Sequence, residues 1–68
     1  MKKSRTPKEI KELTDFQLRE AIRSLQNVTW DENALIRVLA SKIHGEDNTM
    51  TMLMLAVPLA VELEERTS

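Results

Sequence analysis

Apolar and polar positions alternate along this chain with helical spacing from about residue 7 to residue 66. Leu18, Ala21, Ile22 and Leu25 fall at i, i+3, i+4 and i+7, which predicts an amphipathic helix over 15–27. Leu35, Ile36, Val38, Leu39 and Ile43 form a broad apolar sector opposite Asn33, Arg37, Ser41 and His44, predicting a second helix over 30–44. Ile10 and Leu13 do not extend the first stripe at 3.6 residues per turn, so a short helix over 7–13 is expected to bend into the next near Thr14. The last stretch, NTMTMLMLAVPLAVELEE over 48–65, is apolar almost throughout. Its Met, Leu, Ala and Glu residues favour helix and it is long for a strand, so it predicts a final helix over 49–65.

Capping residues sharpen these boundaries. Thr6 with Glu9, Thr14 with Gln17 and Thr29 with Glu32 each have the spacing of a capping box, in which two side chains satisfy otherwise open backbone N–H groups. Pro7 would stand at the first position of the first helix, where its missing donor costs nothing. Leu13 and Leu18 have the spacing of a hydrophobic staple around Thr14. Gly45 is the expected stop of the 30–44 helix, with Asp31 and Glu32 in its first turn and Lys42 and His44 in its last, complementing the helix dipole. Asp47 or Asn48 would cap the final helix.

At about 100° per residue, Thr51, Pro58, Glu62 and Glu65 gather in one narrow wedge of that helix. The wedge is expected to face water, with Pro58 kinking a single continuous helix around the core and water satisfying the Met54 carbonyl. The apolar remainder divides into two stripes. Met50, Leu53, Met54, Val57 and Val61 form one, and Met52, Leu55, Ala56, Leu59 and Leu63 form the other. A surface helix buries only one stripe, so the second calls for another covering. The first stripe is expected to join the core, and Met52, Leu55, Ala56, Leu59 and Leu63 to form a partner or dimer interface.

Size strengthens that expectation. A domain of 68 residues buries only about 60% of the surface of its unfolded chain, and its core rarely supplies more than ~3–5 kcal/mol without a staple. With no cysteine and one histidine, disulfides and a zinc site are excluded, which leaves oligomerisation or a partner. The expected fold is all-α, a small three-to-four-helix bundle with a kinked, nearly all-apolar C-terminal helix, dimeric, in one domain over 7–66 preceded by a flexible basic arm over 1–6.

The composition offers little catalytic chemistry. One glycine excludes a glycine-rich phosphate loop, and His44 is the only histidine and has no nucleophile fixed beside it. Asp31–Glu32 and Glu46–Asp47 are acids at helix starts and turns, where acids ordinarily sit. No enzymatic activity, cofactor or metal is expected. A helix-turn-helix reading of 15–27 and 30–44 fails because Asp31 and Glu32 would meet the phosphates first. Trp30 and Arg37 are candidate interface anchors, since Trp and Arg are enriched where binding energy concentrates.

The expected function is therefore a non-enzymatic protein–protein interaction module: a regulator, adaptor or inhibitor acting through the Met-rich helix on itself or on another protein. The alternative is a dimeric nucleic-acid-associated regulator using Lys2, Lys3, Arg5 and Lys8, which carry no neighbouring acid before Glu9. No aromatic residue interleaves those charges, so such contact would be to the phosphate backbone. The basic start leads into no apolar stretch of the signal-peptide kind, and Met50–Val61 is shorter than the about 20 residues a membrane span needs. A cytoplasmic setting is expected.

Overall fold

Several helices begin or end where a side chain or a left-handed residue satisfies backbone groups that the helix leaves open. The computed structural model describes residues 6–67, so Lys2, Lys3 and Arg5 lie outside the described residues. Helix α1 spans Lys8–Lys11, α2 Asp15–Gln26, α3 Ala34–His44, α4 Thr49–Leu53 and α5 Ala56–Thr67, and a 3-10 turn over Trp30–Glu32 precedes α3. The described residues contain no strand, as the helical spacing predicts.

The Thr14 box forms. The Gln17 N–H donates to Thr14 Oγ1 at 3.1 Å and the Thr14 N–H donates to Gln17 Oε1 at 3.0 Å. Leu13 and Leu18 flank that cap and both join the core. Helix α1 starts differently. Pro7 is its N-cap, extended at ψ 148°, and its carbonyl accepts the N–H groups of Ile10 and Lys11, with no side-chain cap. Thr6, expected in the arm, is buried.

The expected helix over 30–44 divides in two: the Thr29 carbonyl accepts the Glu32 N–H at 3.2 Å to open the 3-10 turn, but the Thr29 N–H and hydroxyl serve the end of α2 and cap no helix. The Thr29 N–H donates to Ser24 O at 3.0 Å, closing the six-residue loop of a Schellman ending, and its hydroxyl donates to the same carbonyl at 3.3 Å. Asn33 caps α3 instead, its Oδ1 accepting the N–H groups of Leu35 at 2.9 Å and Ile36 at 3.2 Å.

The Schellman ending puts Val28 at φ 58°, the left-handed region where a β-branched side chain is strained. That side chain is 73% exposed and loses no core contact if removed. Val28→Gly should raise stability by about 0.5–1 kcal/mol, the left-handed penalty of ~1–2 kcal/mol less the extra chain entropy of glycine. A lower urea midpoint for this variant would show that Val28 packs rather than strains.

Gly45 ends α3 as expected, at φ 83° with its N–H on Ser41 O at 2.9 Å. Asn48 is the cap of α4, its Oδ1 accepting the Thr51 N–H at 2.9 Å. The final segment is not one kinked helix. It breaks at Met54 and Leu55, where the Leu55 N–H reaches back only to Met52 O at 3.2 Å. Pro58 explains the break. It has no N–H for the Met54 carbonyl, and as third residue of α5 it occupies a first turn whose donors have no intrahelical partner anyway.

The polar wedge does not face water: Thr51, Leu55, Leu59 and Glu62 keep helical spacing across the break, and that face turns inward. Thr51 and Glu62 are buried and Pro58 is half-buried. The Thr51 hydroxyl donates to Glu46 O at 2.8 Å, with Asn48 O at 3.0 Å. The core comprises Ile10, Leu18, Ala21, Ile36, Leu39, Ala40, Met52, Leu55 and Leu59. Helix α5 packs along α2 and α1, while α4 packs on α3 and the 3-10 turn.

This overturns the division of the last segment into stripes. Met52, Leu55 and Leu59, expected at a partner interface, are at most 3% exposed and form the chain's own core. Leu55, Leu59, Glu62 and Arg66 follow one another at i, i+4, i+7 and i+11. One inward face therefore carries leucines first and an ion pair after them.

Candidate interaction face

Turning the leucines inward leaves the other stripe outside. Met50 and Val57 are each 70% exposed, Met54 49% and Leu53 46%. Their spacing of i, i+3, i+4 and i+7 carries one apolar ridge from α4 across the Met54–Leu55 break onto α5. Beside it lies a groove of about 280 Å³ between α2 and α5, lined by Ile22, Leu25, Gln26, Ala56 and Ala60. Ala56 and Ala60, one turn apart on α5, keep that wall low. Of the residues expected at an interface, Ala56 is exposed in this groove and Leu63 is half-buried against the core.

Trp30 and Arg37 are not part of the ridge. Trp30 is half-buried and packs against the core. Arg37 is exposed, and its Nε donates to Asp31 O at 2.9 Å while its Nη1 stands 3.8 Å from Asp47, so it ties the 3-10 turn and the α3–α4 loop together. Lys8 is exposed on α1.

A polar clamp closes the opposite end of α5. Arg66 Nε donates to Glu62 Oε2 at 2.7 Å and its Nη1 donates to Asp15 Oδ1 at 2.8 Å. Its Nη2 donates to the carbonyls of Leu13 at 2.8 Å and Lys11 at 3.1 Å, where α1 ends. Lys11 Nζ adds a bond to Glu62 Oε1 at 3.3 Å. The hydrogen bond from Arg66 is the main reason the Glu62 carboxyl ionises below its ordinary value, with Lys11 adding to it and burial opposing it. Each of the three Arg66 guanidinium nitrogens and Lys11 Nζ donates to a group of this chain, so the clamp reads as a fastening rather than a binding site.

No protein-family model, curated protein or solved structure matches this chain. Function is therefore read from the surfaces themselves. Among the described residues, no three His, Cys, Asp or Glu side chains gather to hold a metal ion, and no helix is long and apolar enough to cross a membrane.

The sequence pattern places Met50, Leu53, Met54 and Val57 in the core, and the structure exposes them. One local signal pointed the other way: Glu62 and Arg66 form an i,i+4 pair on the leucine stripe, and a paired carboxylate can be taken inward where a lone one cannot.

Proposed function

We propose that this protein is a non-enzymatic protein–protein interaction module, a small regulator, adaptor or inhibitor that works by covering its Met50–Val57 ridge with another protein surface. One observation carries the reading. Within a single segment, polar Thr51 and Glu62 are buried while Met50, Leu53, Met54 and Val57 are exposed. A contiguous exposed apolar patch is uncommon on a monomer and marks interaction sites. Methionine suits the task, being unbranched and able to reshape around different partners. Covering each exposed side chain is worth up to ~1.5–3 kcal/mol, which favours association with a second copy or with a different protein.

The alternative, a dimeric nucleic-acid-associated regulator, draws on Lys8 together with Lys2, Lys3 and Arg5.

Val57→Glu tests the reading. The variant should keep wild-type helicity and thermal midpoint, because Val57 is 70% exposed. It should lose association, seen either as a fall to monomer mass in light scattering across a concentration series or as lost uptake of an added amphipathic helix. A variant that unfolds would move Val57 into the core and end the proposal. So would one that changes neither readout.

A further inference from the structure

Resting on that reading of the same face, we infer that the groove between α2 and α5 receives an amphipathic helix of another protein, apolar side down and acidic flank toward α2. The floor of Ile22, Leu25, Ala56 and Ala60 is apolar, and two alanines one turn apart let a third helix axis come close. The two lips differ in charge. On α2, Arg19, Arg23 and Gln26 follow at i, i+4 and i+7, so both arginines stand on the groove side of the helix. Both are exposed, and among the described residues neither makes an ion pair, whereas Lys11 and Arg66 on the far side are ion-paired. On α5, Glu64 stands one turn beyond Ala60, exposed and likewise outside any ion pair.

A helix in this groove meets two guanidinium groups along one edge and the single carboxylate of Glu64 on the other. Helix-in-groove recognition takes its affinity from apolar anchors at i, i+3, i+4 and i+7 and its orientation from such flanking charges. A second copy of this chain fits less well. Its own exposed ridge crosses the break at Met54–Leu55 and presents no straight, continuous helix to the groove. A straight helix from a different protein fits along it.

The test uses the full chain and two fluorescein-labelled synthetic helices of about five turns. Both carry the same leucine face. One has glutamates along one flank and lysines along the other, and the second has lysines along both. Fluorescence anisotropy at low salt should show the glutamate-bearing helix binding about tenfold tighter, as expected from exposed charge pairs changing from repulsive to attractive. The preference should shrink as salt is added. It should reverse in the R19E/R23E variant, and Ala60→Trp, which fills the groove, should remove binding of both helices. Equal binding of the two helices, or binding that survives Ala60→Trp, overturns the inference. A wild-type dimer that takes up neither helix overturns it as well but leaves the interaction reading standing. A monomer that takes up neither ends both.

Discussion

Leu59→Ala is expected to leave the chain largely unfolded at 25 °C. Leu59 is fully buried, with Leu55 and Leu18 in the same core. Truncating a buried leucine costs about 2–5 kcal/mol through lost transfer energy and the cavity left behind. A core in a chain of this size rarely supplies more than ~3–5 kcal/mol in all. The two ranges overlap, so one substitution consumes most or all of the stability. Val57→Ala, two positions away but on the exposed ridge, should shift stability by no more than about 0.5 kcal/mol. Urea unfolding followed by circular dichroism and by the fluorescence of Trp30, which packs against this core, measures both variants. A small loss in Leu59→Ala with a large one in Val57→Ala would mean that the two stripes are exchanged.

Arg66→Met should lower the urea midpoint by about 1–2 M, far more than loss of a surface ion pair. The methionine keeps the aliphatic stem but leaves Glu62, 5% exposed, with Lys11 alone, and strips a donor from the Lys11 and Leu13 carbonyls. Removing one partner of a buried pair is worse than removing both. The double variant Glu62→Leu/Arg66→Met should therefore recover much of the loss, and a double variant as weak as Arg66→Met alone would show that the carbonyl contacts dominate.

Acid provides a second readout of the same clamp. The folded-state pKa of Glu62 lies below its ordinary value of 4.5, with the Arg66 hydrogen bond as the leading cause. Its contribution to stability is therefore complete above pH 4.5 and disappears as pH falls through the lower folded value. The wild type should lose more stability across that interval than the double variant, in which this carboxyl is gone.

Two of the departures from the sequence pattern involve residues with more than one use. Thr29 has the spacing to begin a helix, yet the left-handed turn at Val28 brings it back onto Ser24, and Asn33 takes over the cap. Pro58 was read as bending one helix on its wet side. The structure uses it in the first turn of a new helix, whose buried face continues that of α4.

What the sequence by itself determined lies within about one helical turn, although at that same range the Thr6 and Thr29 capping boxes do not form. The all-helical class follows from spacing. The start of α2 follows from Thr14 and Gln17, the stop of α3 from a glycine that tolerates positive φ, and the start of α4 from Asp47 or Asn48, of which Asn48 caps it, because each group and its partner are near neighbours in the chain. Which side of the last segment turns inward is a different kind of question. Two apolar stripes of similar size compete for one core, and propensity does not separate them. Only the tertiary structure decided it, by bringing Lys11, Leu13 and Asp15 up to Arg66 from 51 to 55 residues away, and Lys11 to Glu62 across 51. Those partners make it possible to bury Glu62, Glu62 carries Leu55 and Leu59 in with it, and Met50 and Val57 are left on the surface.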